Sequence, residues 1–412
     1  MWFDTTTCGE HKYKNKMNIL LLTPVYPTND SSYTVTPVCH YFVKEWIKAG
    51  FNVKVINFTS KFPDFYNFLA RPLNTIIKAR TGNSIYIKSP SKNNVYVYEG
   101  IEIYNIPIKK VIPHSYPSIK EYQKIAEDIR YYLDSCDFTP DIITGHLINP
   151  CLGVIHFLKI KYLCKSCIVF HLPCNELQKI QKTIPNIMGS IDVWGFRSKP
   201  NLDKFKELFG GSLNCFVCHS GIPEAYLSSN PKSFDAGLKK IAFLGSLFKL
   251  KKVDILIRLI SELKSKSLTL DIIGGGAEES NLRQLAKQLK IESSVTFWGK
   301  QPRNKAQEIL GNSDCYAMIS KEAFGLVYIE AMAKGLITIA LKNSGIDGVI
   351  RDGINGLLCE SQELDSLTNT VERILSLSST ELLMISNNAR ATAAEMTDSK
   401  MAIKYIEHIT NA

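Results

Sequence analysis

MNILLLTPVYPTNDSSYTVTPVCHYFVKEWIKAGFNVKVINF, residues 17–58, decides the fold. Its first eight residues hold the aliphatic run Ile19 to Leu22 and end at a proline, the pattern of a strand buried on both faces. Residues 36–50 space their apolar side chains at helical intervals and stop at a glycine. FNVKVINF is strand-like again. Strand, helix, strand is the unit of a doubly wound α/β sheet.

The unit recurs outward from this stretch. DIITGH (141–146), a helix through 155–162, CIVFH (167–171) and a strand near 215–218 complete a first set. KKIAFLG (239–245) starts a second. A helix near 253–263, LTLDIIGGG, a helix near 282–289, VTFWG, DCYAMIS, a helix in KEAFGLVYIEAMAKG (321–335), ITIAL and a helical C-terminal stretch follow. A chain of 412 residues exceeds what one hydrophobic core usually serves. The expected organisation is therefore a tail at 1–16 and a Rossmann-like domain at 17–225. A linker at 226–238 and a second Rossmann-like domain at 239–395 come next. A final helix, 396–412, is expected to cross back to the first domain. Met17 reads like a natural start. Segments 61–92 and 113–122 read as insertions in the first half. The opening of the first, KFPDFYNFLARPLNTIIKAR, mixes aromatic and basic residues and suits either a lipid surface or a flap on its own domain.

No run of about 18 apolar residues occurs, so no spanning helix is expected. Residues 1–16 lack the apolar segment of a secretory signal, and eleven cysteines without one fit a reducing cytoplasm. The expected location is cytoplasmic, with peripheral attachment at the inner face of a membrane allowed by the charge. Residues 1–225 hold 26 Lys and Arg against 18 Asp and Glu, which places +8 of the total +10 in the first half. That excess suits an anionic partner, or a merely soluble basic surface. Cys164 with Cys167, and Cys215 with Cys218, invite a zinc reading. The second pair lies in a strand, where positions i and i+3 face opposite ways and cannot share one metal.

In open α/β sheets, ligands bind at the carboxyl ends of strands beside helix N-termini. The second set offers four such ends. After IAFLG come Lys249, Lys251 and Lys252, available for phosphates. Gly274, Gly275 and Gly276 let a flat base or ribose approach the backbone. Lys300 and Gln301 make a third wall. Lys321 to Gly325 open a helix whose N-terminus attracts a phosphate. Glu322 can accept hydrogen bonds from hydroxyls. Glu330 sits inside an apolar run, where a carboxylate is costly without a partner. A ribose diol would supply two donors; Lys334 at i+4 would be the purely structural partner.

Glu322 and Glu330 match the E-x7-E motif of the retaining family 4 glycosyltransferases, which this chain resembles from Met17 onward. EAFGLVYIEAMAKG is close to that family's usual wording. MNILLLTPVYPT resembles its first strand and loop, and IAFLGSLFKLKKVDILI its phosphate-binding loop. LDIIGGGAEESNLRQLAKQL resembles its base-binding loop. The resemblance implies a GT-B fold, two Rossmann-like domains facing across a cleft. It implies a metal-independent transferase that moves a sugar, with retention, from a nucleotide-diphosphate sugar. No further cofactor is implied, and no D-x-D pattern occurs. His171 and Glu322 would act at the transferred sugar. Gly245, Ser246, Lys251, Gly274, Gly275, Lys300, Phe324, Gly325, Leu326 and Glu330 would bind the donor. A glycan or lipid-linked glycan would be the acceptor, in cell-surface polysaccharide synthesis, with an anionic membrane surface but no nucleic acid as a further partner.

The chain departs from the family pattern at four places. Ser246 stands where an arginine is usual. Cys174 or Asn175 replaces an aspartate. The first loop lacks its glycine pair, and Gly348 replaces a glutamate. His146 reads as a possible loop-orienting group and His219 as structural. A non-catalytic donor-binding or partner-binding subunit, a nucleotide-sugar epimerase and a phosphorylase are the competing readings. A nicotinamide dehydrogenase is disfavoured, because G-x-G-x-x-G does not follow the first strand.

Overall fold

The computed structural model describes residues 17–29, 37–62, 92–110, 115–171, 175–228 and 231–412. The tail at 1–16 and most of the aromatic and basic insertion lie outside the described residues.

The first sheet is built from β1 (Asn18–Thr23), β2 (Asn52–Lys61), β3 (Asn94–Tyr98), β4 (Ile101–Lys109), β5 (Ile142–His146), β6 (Lys165–Phe170), β7 (Val193–Phe196) and β8 (Cys215–Val217). Their order is β3-β4-β2-β1-β5-β6-β7-β8, with β3 antiparallel at the edge and every other pair parallel. The helices between them are α1 (Val38–Lys48), α2 (Ile119–Ser135), α3 (Cys151–Lys159), α4 (Asn175–Thr183) and α5 (Lys199–Phe209). The near-continuous burial of β1 and β5 follows from their central places, covered on both faces.

The second sheet holds β9 (Lys240–Leu244), β10 (Thr269–Ile273), β11 (Val295–Gly299), β12 (Cys315–Met318), β13 (Ile337–Leu341) and β14 (Leu357–Cys359). All its pairs are parallel, in the order β11-β10-β9-β12-β13-β14. Its helices are α6 (Val253–Glu262), α7 (Glu279–Gln288), α8 (Arg303–Gly311), α9 (Leu326–Ala333), α10 (Leu364–Leu375) and α11 (Ser379–Ala394). The order reverses between β9 and β12, which opens a crevice at their carboxyl ends.

The last helix, α12 (Asp398–Thr410), follows the second sheet in the chain but packs against α1 of the first. Trp46 Nε1 donates to the Ala402 carbonyl at 2.9 Å. Through this helix the core on one face of the first sheet runs on into that of the second.

Residues 119–122 form the first turn of α2. Ser118 caps α2, and Glu121 completes a capping box that satisfies backbone donors at both ends of the first turn. Cys164 and Cys215 pack on one face of the first sheet, Cys167 and Cys218 on the other, so neither pair shares a direction. Among the described residues, no cluster of three or more His, Cys, Asp or Glu could hold a metal, and no helix is long and apolar enough to cross a membrane.

Candidate functional site

Loops from three strand ends are stacked beside the crevice of the second sheet. The loop after β9 lies on the loop after β10: Leu247 N–H donates to the Gly275 carbonyl and Glu278 N–H to that of Leu247, at 3.1 and 3.0 Å. A Cβ on Gly274 would stand 1.8 Å from the Gly245 oxygen, and one on Gly276 2.4 Å from that of Leu247. These two glycines are therefore required by protein packing. Gly275 differs: a Cβ there meets nothing closer than 3.8 Å, and its neighbours include Lys300. Ser246 and Lys300 stand exposed at the rim.

Lys251 ends a single 3-10 turn at Lys249–Lys251, and Lys252 takes the left-handed conformation that starts α6. The Lys251 ammonium is 2.6 Å from Glu322 Oε1, across the reversal point of the sheet. Ser320 Oγ donates to the same carboxylate oxygen at 2.5 Å. The backbone of this turn is stapled to the loop after β13. Glu322 N–H donates to Ser344 Oγ at 2.9 Å, and Gly345 N–H donates to the Glu322 carbonyl at 3.0 Å.

Gly325 precedes α9 with φ of +89°, and a Cβ there would lie 2.6 Å from the Tyr328 ring. The residue must be glycine for the chain to turn into the helix at this point. Leu326 is the first helical residue and half-buried. Phe324 is buried under the first domain, stacked on His219 at 4.7 Å with the Arg197 guanidinium 5.4 Å from its ring centre.

Glu330 lies in the second turn of α9, buried. Its carboxylate accepts from Arg303 at 3.3 Å and from Gln307, both on α8. These, rather than Lys334, are its hydrogen-bonding partners; Lys334 acts on it only through its charge. Burial raises the Glu330 pKa against the pull of Arg303. Arg303 also donates to the Tyr41 hydroxyl of α1 at 2.7 Å, so the network joins the two domains. Gln307 Oε1 is buried with no hydrogen-bond partner.

The first domain contributes His146 at the end of β5 and His171 just beyond β6. His146 Nδ1 and His171 Nε2 are 2.9 Å apart. Burial, with the Arg197 charge second, pushes the His171 pKa down to about 3 and His219 likewise to about 3. Arg197 follows the four-residue β7, donates to the Cys218 carbonyl and to Ser220 Oγ, and has no carboxylate partner among the described residues. Sequence reasoning missed it; nothing local marks it, since its partners lie more than twenty residues away. His219, read as structural, packs on Phe324 in the loop of Glu322. The structure thus brings Lys251 to Glu322 and the loop of Gly245 onto that of Gly275, sets Phe324 against His219 and Arg197 of the first domain, pairs His171 with His146, and gives Glu330 the partners Arg303 and Gln307.

Residues 228–392 match the family model of glycosyl transferases group 1. It is 34% identical over 142 residues to an N-acetyl-alpha-D-glucosaminyl L-malate synthase of Bacillus anthracis, covering 33% of this chain and 36% of that protein. It is 32% identical over 144 residues to a D-inositol 3-phosphate glycosyltransferase of Mycobacterium ulcerans, covering 33% and 30%. These matches thus span about a third of the length of the curated relatives. Solved structures are similar over nearly the whole chain. A glycosyltransferase of Rickettsia africae gives a TM-score of 0.66 at 19% identity, covering 96% of this chain and 98% of that one. A lipopolysaccharide outer core galactosyltransferase gives 0.68 at 16%, covering 96% and 99%. An Anabaena protein in complex with UDP gives 0.68 at 16%, covering 96% and 100%. The chain has the two-domain GT-B fold of these structures.

Proposed function

We propose that the protein is a retaining glycosyltransferase that moves a sugar from a nucleotide-diphosphate donor to a glycan acceptor. The observation that carries this reading is the Lys251–Glu322 pair at the reversal point of the second sheet, beside the helix that Gly325 opens. The donor diphosphate would lie between Lys251 and the α9 N-terminus, where an ammonium and unpaired N–H groups favour negative charge. Gly245, Ser246, Gly274, Gly275 and Lys300 would border the nucleoside, and Glu330 would take the ribose. Glu322 and the backbone of Phe324, Gly325 and Leu326 would hold the transferred sugar, facing His171.

The proposed reaction breaks the bond from sugar C1 to the β-phosphate oxygen and forms one from C1 to the acceptor oxygen on the same face. The acceptor hydroxyl loses its proton to the departing phosphate oxygen. A neutral imidazole whose conjugate acid has a pKa of about 3 is a weak base, so His171 is a poor alternative acceptor for that proton. Lys251 would stabilise the charge that builds on the diphosphate. No step requires a metal.

The acceptor is proposed to be a glycan or lipid-linked glycan of a cell-surface polysaccharide, handled by a cytoplasmic enzyme at the inner face of the membrane. The similarity to a lipopolysaccharide galactosyltransferase over 96% of the chain supports that class. The decisive experiment is a thermal-shift screen with UDP, GDP, ADP, TDP and CMP, then their sugars, with and without EDTA. A ligand of the native state raises the melting temperature by mass action. One diphosphate should do so, unaffected by EDTA, and its sugar should then be turned over. No shift with any of them, in a folded sample, favours the non-catalytic subunit.

A further inference from the structure

A line of hydrogen bonds runs to His171 from the far end of the chain. Tyr405 lies on α12, the helix that returns to the first sheet. Its hydroxyl is 2.6 Å from Thr144 Oγ1 and 3.1 Å from His146 Nε2. The other nitrogen of His146, Nδ1, is 2.9 Å from His171 Nε2. Tyr405, Thr144 and His146 are 2%, 0% and 0% exposed, so no solvent water substitutes in the line. The Tyr405 ring is held by Phe42 and Trp46, with ring centres at 5.1 and 5.3 Å. It cannot swing aside without opening the core between α1 and α12.

A proton count decides what this line does. Burial keeps both imidazoles neutral, so each carries one N–H. Two arrangements satisfy the contacts. In one, His171 donates from Nε2 to His146, His146 donates to the Tyr405 oxygen, and Tyr405 donates to Thr144. In the other, every donor is reversed: Thr144 to Tyr405, Tyr405 to His146, His146 to His171. The phenol chooses between them. A phenolic O–H is a stronger donor than an imidazole N–H, and an imidazole nitrogen is a stronger acceptor than a phenolic oxygen. Tyr405 therefore donates to His146 Nε2, which leaves the His146 proton on Nδ1 and aimed at His171 Nε2. The His171 proton must then sit on Nδ1, for which no partner exists among the described residues.

We propose that Tyr405, acting through His146, holds His171 as its Nδ1–H tautomer, so that His171 serves as a hydrogen-bond donor to an oxygen of the bound sugar and not as a base. This rests on the reading of His171 as a residue that faces substrate. Tyr405 and His146 are positioning residues. Their effect ties the first domain's side of the site to a helix that follows the donor-binding domain in the chain.

The test is a long-range proton–nitrogen correlation spectrum of the full-length protein labelled with ¹⁵N-histidine, with assignment by His146→Asn and His171→Asn. The unmodified protein should show His171 protonated at Nδ1 and bare at Nε2. Tyr405→Phe keeps the ring and removes the phenol, and should shift His171 to a mixture of tautomers. Its kcat should fall about tenfold, the value of one neutral hydrogen bond, with KM for the donor within about twofold. Should Tyr405→Phe fold poorly, Thr144→Val is the second variant: it leaves the phenol only His146 Nε2 to donate to, so the His171 proton should stay on Nδ1, and its appearance on Nε2 overturns the proposal. A His171 proton on Nε2, or a tautomer unmoved by Tyr405→Phe, overturns the proposal. A tautomer that moves while kcat does not overturns the positioning role. A protein that shows the tautomer and its response but turns over no nucleotide sugar supports the hydrogen-bond line and overturns the proposed function instead.

Discussion

Lys251 Nζ and Glu322 Oε1 are 2.6 Å apart, and the two side chains are only 26% and 17% exposed. Each neutralises the other in a crevice that water reaches poorly. A diphosphate entering this crevice would compete with Glu322 for the ammonium, and the freed carboxylate would then be available to sugar hydroxyls. On the proposed function, the pair would exchange partners when the donor binds. Lys251→Ala should weaken nucleoside diphosphate binding by about tenfold to a hundredfold, the value of a hydrogen bond to a charged group. Glu322→Gln should do the opposite to binding: it frees Lys251, so the diphosphate should bind as tightly or tighter while turnover falls sharply. Calorimetric titration and a transfer assay on both variants check this. Equal weakening by the two substitutions would sink the exchange.

Glu330 makes a different prediction, because its partners are Arg303 and Gln307 on α8. If it also takes the ribose diol, the protein should prefer a ribonucleotide over its 2′-deoxy form. Glu330→Gln should weaken binding about tenfold and erase that preference. It should also cost about 1–3 kcal/mol of stability, since Arg303 loses a carboxylate and Gln307 faces a second amide. Competition titrations with the ribo and deoxy diphosphates are the measurement. A preference that survives Glu330→Gln places the ribose elsewhere.

Much of this architecture was legible in the sequence where one segment suffices to specify one element. β1, β9 and β13 are continuous apolar runs, and α1 and α6 carry helical spacing between clear stops. Four-residue β7 and three-residue β14 carry too little pattern, and α2 was obscured because its Ser118–Glu121 capping box sits inside a stretch read as an insertion. The turn around Glu322 and Gly325 was legible because a glycine between a strand and a helix has few other uses. What the sequence does not show is pairing at a distance. Glu330 takes Arg303 and not Lys334, and Phe324 is covered by His219 and Arg197 from the other domain. Such contacts depend on how the two sheets meet, which no local pattern encodes.

Gly325 is open to a direct stability test. Its φ of +89° costs an L-residue about 1–2 kcal/mol, and a methyl group would also press on the Tyr328 ring at 2.6 Å. Tyr328 cannot yield easily, because it is buried and its hydroxyl donates to the Met318 carbonyl at 2.5 Å. Gly325→Ala should therefore lower unfolding stability by about 2 kcal/mol or more in urea. A loss below about 0.5 kcal/mol would mean the turn relaxes freely.

Acid should destabilise the fold through the first domain's wall, with Asp398 acting against it. His146, His171 and His219 all have folded pKa values lowered by burial, the last two to about 3. Unfolded, each takes up a proton near pH 6.5, so the unfolded state gains protons first and stability falls as pH drops below that value. Asp398, at the start of α12, is raised to about 6 by burial, with the Glu45 charge second. Its folded form takes up a proton between pH 6 and 4 while the unfolded form stays ionised, which restores stability over that window. Asp398→Asn removes only this second effect. The variant should melt higher than the parent at pH 8, by about 1–2 kcal/mol after allowance for its partial exposure, and the gain should vanish by pH 4. Melting temperatures of the pair at pH 8, 6 and 4 decide it. A gain that is the same at all three would show that Asp398 is not held protonated by its site, and that the α12 start carries its charge without penalty.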